Sequence, residues 1–380
     1  VTNDDGTTLS VPPAPAPGPP VGGLRLDLAG DVAALTAAVM DIESVSGNES
    51  ALADAVEDAL RALPHLEVTR NGDAVVARTS RGRDERVILA GHLDTVPLPT
   101  VPGSRGTVPS AWDGGVLYGR GATDMKGGIA VQLALAATVP EPSKDITFIF
   151  YDHEEVAAAK SGLGRLVREN RELLDADFGI LLEPTNGTVE GGCNGTIRFE
   201  ATTHGLAAHS ARAWMGKNAI HAAAPILSRL AAYEPATVTV DGLDYRESLN
   251  AVKIHGGTAG NVIPDACVVE INYRFAPDKT PEQAEAHVRG LLAGFELVCT
   301  DSSAGARPGL NAPAAASFVA AVGREPLPKY GWTDVARLGE IGIPAVNFGP
   351  GDPLLAHSDN EHVVAADIRA CLDALTRWLA

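Results

Sequence analysis

The sequence predicts an α/β protein with a mainly parallel sheet and a smaller α+β domain inserted into it. Three observations predict this. Apolar runs that read as strands buried on both faces (RVILAGHLDTV, DITFIFYDHEE and FGILLEP) alternate with helical stretches in the first half of the chain. After Gly195 the strands alternate apolar and polar residues, as in TIRFEATTHG, in a β-α-β-β-α order. From about residue 310 the α/β character returns. The expected boundaries are 1–23 for a proline-rich tail, 24–196 with 306–380 for one discontinuous domain, and 197–305 for the insert.

Element by element, residues 31–41 and 50–63 read as amphipathic helices, the second capped by Asn48 or Ser50. LEVTRNGDAVVART reads as two short strands around an Asn71-Gly72 turn. GGIAVQLALAATV is a buried helix, and SGLGRLVRENREL another helix. In the insert, NAIHAAAPILSRLAAY and PEQAEAHVRGLLAGF are helical. SLNAVKIHGGTAGNVIPDACVVEINYRFAP holds two alternating strands separated by a glycine-rich turn. These make a small antiparallel sheet with helices on one face. PAVNFGP is a short strand and VVAADIRACLDALTRWLA a closing helix.

The chain has 380 residues, of which 45% are hydrophobic and 21% charged, as in a soluble globular protein. Its formal charge of −18 repels nucleic acid and anionic membranes, so neither is expected as a partner. Cys193, Cys267, Cys299 and Cys371 are far apart, which argues against a zinc ribbon or a disulfide framework and for a reducing, cytoplasmic setting. No apolar run approaches the roughly 20 residues of a membrane span. The start of the chain, with Asp4 and Asp5 followed by VPPAPAPGPP, is expected to be an extended disordered tail rather than a signal peptide.

Five stretches supply acidic or imidazole side chains that could close around two metal ions. His92 and Asp94 end a strand two residues apart, so both point the same way. Asp94 is placed to hold the ring of His92 through its carboxylate. Asp124 lies in the turn GRGATDMKGG before a helix. A carboxylate there suits a cation, although an aspartate in this position also serves as a plain N-cap. Glu154 and Glu155 follow a buried strand. Neighbours on an extended backbone point oppositely, so one can bind metal while the other acts as general base. Glu183 ends a third strand, and His357 lies in the loop PGDPLLAHSDNEH, where spacing alone does not exclude His362. Two histidines with several carboxylates suit zinc, cobalt or manganese better than calcium or copper.

From about residue 31 onward, GHLDTVP, GRGATDMKGG, the glutamate pair and the late histidine together resemble the co-catalytic zinc family of acyl-amino-acid deacylases, desuccinylases and dipeptidases. The resemblance implies a zinc-exopeptidase-type catalytic domain and an inserted ferredoxin-like domain that mediates homodimer formation. It implies two zinc ions, with cobalt or manganese as substitutes. His92, Asp124 and Glu183 would hold one, and Asp124, Glu155 and His357 the other. Glu154 matches the general base and Asp94 the carboxylate behind the first histidine. The similarity is strongest to members that hydrolyse N-succinyl-L,L-diaminopimelate in lysine biosynthesis, carried by LLEPTNGTVEGGCNGTIRFE, HGLAAHSARAWMGKNAIH and TAGNVIP. His209 and Asn261 then match residues that reach the partner subunit's site, and Arg274 one that grips a substrate carboxylate. Arg337 is a second candidate clamp. This chain departs from the pattern at Cys193-Asn194, where an arginine pair is usual, and at His153, where an acidic residue is usual.

Three other readings compete. An acetylornithine deacetylase or dipeptidase on the same scaffold shares the metal set, and the two arginines favour a dicarboxylic acyl group instead. A non-catalytic binding protein is disfavoured by the complete set of site residues. A nucleotide-binding protein is disfavoured because GRGATDMKGG lacks a third glycine and a G-K-[ST] triplet.

Overall fold

The computed structural model describes residues 26–380, so the proline-rich tail expected over 1–23 lies outside the described residues. An eight-stranded sheet forms the centre of the larger part. Its middle strands Asp145–Tyr151, Arg86–His92, Phe178–Leu181 and Ala345–Asn347 run parallel. Antiparallel strands Glu67–Asn71 and Ala74–Arg78 extend one edge. Short pairings of Glu190–Gly191 and Leu327–Pro328 extend the other.

Helices cover both faces, which explains the unbroken apolar runs of the central strands. Val87 and Leu89 pack on one side with helices Val32–Met40, Gly127–Thr138 and Ala365–Leu379. Ile88 and Ala90 pack on the other with Gly162–Glu169 and Val335–Glu340. The start of helix Gly127–Thr138 lies tightly against the segment leading to Glu183. A Cβ on Gly128 would meet the carbonyl oxygen of Leu182 at 2.3 Å.

The insert is a four-stranded antiparallel sheet in the order Ser248–Gly256, Ala266–Phe275, Gly195–His204, Glu296–Ser303. With its helices it has ferredoxin-like topology. Ile226, Leu230, Ala284 and Val288 pack from the helices onto one face, against Phe199, Val269 and Ile271. The two connections to the larger part lie side by side, because Cys193 and Ala306 exchange both backbone hydrogen bonds at 3.0 Å.

Several local expectations are corrected. Helix Ser50–Arg61 has Glu49 at its N-cap rather than Asn48 or Ser50, and Glu49 turns its carboxylate back to the N–H of Gly47 at 2.8 Å. The hairpin turn is Gly72-Asp73, one residue later than predicted, because Asn71 pairs directly with Ala74. The single helix expected over 218–233 is two pieces, Ala219–Ala222 and Ala224–Ala231, broken where Pro225 lacks an N–H. Hairpin Thr237–Val240/Leu243–Arg246 and helix Pro313–Val322 carry no strong periodic signal and are additions.

Candidate metal centre

His92 is the last residue of its strand and is buried. Its Nδ1 donates to the backbone carbonyl of Asp94 at 2.9 Å, which turns Nε2 towards Asp124. The Asp94 carboxylate is 3.6 Å from that ring nitrogen, so the main chain rather than the side chain fixes the tautomer. The carboxylate has another task. It accepts the N–H groups of Glu154 at 2.9 Å and Glu155 at 3.0 Å, and the Ser46 hydroxyl at 2.6 Å.

This clamp corrects the expected geometry of the glutamate pair. The strand ends at Tyr151, and His153 adopts a left-handed φ of 60°. The alternation rule therefore no longer applies at Glu154 and Glu155. Both offer carboxylate oxygens to one group with His92, all within 4.8 Å of one another. His153 faces away from that group: its Nδ1 lies 2.7 Å from Asp152 and 3.3 Å from Glu49.

Asp124 is not an N-cap, since helix Gly127–Thr138 starts after Lys126. Its backbone N–H and that of Thr123 are accepted by buried Glu361, which also pairs with Arg120 at 2.7 Å. The Asp124 carboxylate faces two histidines. Oδ1 lies 3.0 Å from Nε2 of His92, and Oδ2 lies 3.3 Å from Nε2 of His357. His357 also lies 2.9 Å from Glu155. His362 is elsewhere, against the Tyr118 ring with centroids 4.7 Å apart.

The donors fall into overlapping groups. His92, Asp124 and Glu183 form one, and Asp124, Glu155 and His357 another, each with ligand atoms within 4.8 Å of one another. Crowding shifts His92, Asp124, Glu154, Glu183 and His357 in the direction a cation would reverse or exploit. Burial, with the Asp124 charge nearby, pushes Glu183 up to about 8. Burial also holds Glu154 well above the carboxylate range. Burial opposes ionisation of Asp124, but hydrogen bonds from His357 and His92 overcome it and hold Asp124 well below that range. Hydrogen bonds to Asp124 and Glu155 raise His357 to about 10.

A family model described as peptidase family M20/M25/M40 matches residues 88–380. The chain belongs to this family. A Mycobacterium tuberculosis member described as "Putative succinyl-diaminopimelate desuccinylase DapE" is 52% identical over 93% of this chain and 99% of that protein. A Corynebacterium glutamicum succinyl-diaminopimelate desuccinylase is 45% identical, over 93% and 98%. Two solved structures share the M20 fold. A Staphylococcus aureus tripeptidase has a TM-score of 0.74 at 23% identity, covering 92% of this chain and 97% of that one. The Bacillus subtilis YXEP protein, described as a dinuclear metal binding peptidase, has a TM-score of 0.66 at 19% identity, also over 92% and 97%.

In this M20 chain the donors open into a cavity of about 690 Å³ between the two parts. Its walls include Arg274, Arg337, Trp332 and Thr333. Arg274 is held by Asn272 at 3.1 Å, and Arg337 by the buried carboxylate of Asp334. His209 and Asn261 do not line the cavity. They lie where the short strand Ala208–His209 meets Val262–Ile263, and the N–H of Ser210 donates to the Asn261 carbonyl at 2.8 Å. Cys193 and Asn194 are buried at the junction, with Cys193 Sγ 3.6 Å from the Thr333 carbonyl and the Asn194 amide donating to the Arg246 carbonyl at 2.8 Å. Sequence reasoning passes over Glu361, Arg120 and Ser46, whose partners are distant in the chain. It also passes over Arg198, a cavity-lining residue on a strand face that reads as ordinary surface.

Proposed function

We propose that the chain is a two-metal amidohydrolase that cleaves N-succinyl-L,L-diaminopimelate to succinate and L,L-diaminopimelate. The observation that carries the metal chemistry is Asp124, whose two oxygens face different histidines and belong to different donor groups. The succinylated substrate is supported by relatives of that description at 52% and 45% identity over nearly the whole chain.

The mixture of imidazole and carboxylate donors, buried at His92 and Glu183 and half-exposed at His357, fits two divalent cations, zinc by preference and cobalt or manganese as substitutes. His92, Asp124 and Glu183 would hold one, and Asp124, Glu155 and His357 the other. When bound, such a pair supplies Lewis-acid activation of water and of the scissile carbonyl. Glu154 accepts the proton of the attacking water and returns it to the amine nitrogen as the C–N bond breaks. Asp94 orients Glu154 and Glu155 through their N–H groups. Arg274 and Arg337 bind substrate carboxylates.

The working form is a cytoplasmic homodimer in which His209 and Asn261 of one copy complete the other copy's site, with His209 donating to the developing oxyanion. Supporting this, the outer edge of strand Ser248–Gly256 lacks a partner strand among the described residues, and Val252 and Ile254 on it are exposed. Among the described residues no helix is long and apolar enough to cross a membrane.

The test is loss of amide absorbance on mixing zinc-loaded protein with N-succinyl-L,L-diaminopimelate. Chelator-sensitive hydrolysis supports the reading. No turnover with two zinc ions bound discards the substrate and directs attention to acetylornithine and dipeptides.

A further inference from the structure

Three charged cavity residues have no role in the reaction as derived above: Arg198, Asp301 and Glu270, the last paired with Lys253 at 2.7 Å. Arg198 lies on strand Gly195–His204 and Asp301 on the neighbouring strand Glu296–Ser303. A register shift between Cys299 and Asp301 sets Asp301, not Thr300, opposite Arg198. Bulges of this kind re-aim side chains beside binding sites. Arg198 and Asp301 lie on the sheet face that carries no helix and forms a wall of the cavity.

Their closest approach is 3.9 Å, and their side chains are 57% and 34% exposed. A pair this loose and wet adds little to stability. The guanidinium donors and the carboxylate oxygens therefore remain available to a ligand. Arg274 belongs to a different row. It pairs across the sheet with Thr196, two residues from Arg198 and about 7 Å along the strand, on the side of the junction at Gly195.

A guanidinium beside a carboxylate is the complement of an α-amino acid, whose carboxylate meets the arginine and whose ammonium meets the aspartate. The substrate proposed above keeps one such group free. Its succinyl carboxylate is two methylene groups from the scissile carbonyl. Its free amino-acid end is separated from the scissile nitrogen by one carbon and three methylene groups. The short arm suits the row of Arg274 and the long arm the outer row. We propose that Arg198 and Asp301 form a subsite for the free amino-acid end of the leaving group. This inference rests on the desuccinylase reading.

The experiment compares kcat/KM of zinc-loaded wild type, Arg198→Ala, Arg198→Lys, Asp301→Asn and Arg274→Ala on three substrates. These are N-succinyl-L,L-diaminopimelate, Nα-succinyl-L-lysine (no distal carboxylate) and N-succinyl-L-2-aminopimelate (no distal ammonium). Arg198→Ala should lower kcat/KM about 10- to 100-fold on the full substrate yet change the lysine derivative less than about twofold. Asp301→Asn should show the same pattern with the aminopimelate derivative. Arg198→Lys should recover part of the loss, and Arg274→Ala should impair all three. Equal losses on all three substrates for Arg198→Ala, or no loss on any, overturn the subsite. A wild type that hydrolyses none of the three overturns the desuccinylase reading itself, before any variant is compared.

Discussion

The carboxylate of Glu361 accepts the backbone N–H of Asp124 at 3.1 Å. The same side chain pairs with Arg120, and the two are 1% and 3% exposed. The turn that presents Asp124 to both histidines is thus held from the far end of the chain. Breaking a buried ion pair costs about 3–5 kcal/mol, and loss of a group supporting a metal ligand lowers metal affinity about 10- to 100-fold. Glu361→Gln should therefore melt at lower temperature and bind zinc more weakly, as read by competition with a chromophoric chelator. Wild-type zinc affinity would show that the turn holds itself.

Asp94 separates positioning from ligation. Its carboxylate touches the N–H groups of Glu154 and Glu155, while its carbonyl holds His92. Asp94→Ala keeps the carbonyl and removes the clamp. It should retain both metals and lose roughly 10²-fold or more in kcat, approaching the 10²- to 10⁴-fold loss expected of Glu154→Gln. Stoichiometric zinc analysis beside single-turnover kinetics checks this. Loss of zinc from Asp94→Ala would mean that the clamp serves ligation instead.

Residues whose task depends on their place at the end of an apolar strand are readable from sequence: His92, Glu183 and the glutamate pair all follow such runs. Direction is harder. Strand alternation predicts that Glu154 and Glu155 diverge, but the chain leaves the strand at Tyr151 and bends at His153, and no local pattern marks that bend. His357 and His362 are equivalent by spacing and differ only in three dimensions. Glu361 is hidden for a further reason: two of its partners are the backbone N–H groups of Thr123 and Asp124, which leave no residue type to recognise. The fold follows the same division. The parallel core shows in apolar runs buried on both faces, whereas two-residue pairings such as Glu190–Gly191 are set by tertiary contact alone.

Gly128 offers a steric test of how the centre is assembled. An added Cβ would overlap the backbone oxygen of Leu182, next to Glu183, and backbone cannot rotate away. Gly128→Ala should destabilise by about 1–3 kcal/mol and weaken zinc binding, because helix and strand must separate. Denaturant melts and a zinc titration read the two effects. A variant with normal stability would show that the helix can shift without cost.

Asp145 links stability to pH away from the metal donors. Its carboxylate accepts from the Thr79 hydroxyl and the Arg81 N–H at 2.8 Å, and from the Arg83 N–H at 3.0 Å. Burial alone would raise its pKa, but these donors and the nearby Arg86 outweigh burial and hold it below the usual value. The folded state therefore binds this proton less readily than the unfolded chain. The stabilisation is present above the unfolded pKa of about 4 and is lost as pH falls through the lower folded value. Asp145→Asn should be less stable than wild type at pH 7, by about 1–3 kcal/mol. That difference should shrink as pH falls below about 4 and be lost below the lower folded value, where the wild-type carboxylate is neutral in the folded state too. Urea midpoints measured for both proteins from neutral to acid pH decide it, since titration of the shared metal donors cancels in the difference. A gap that stayed constant with pH would place the effect in packing rather than in the charge.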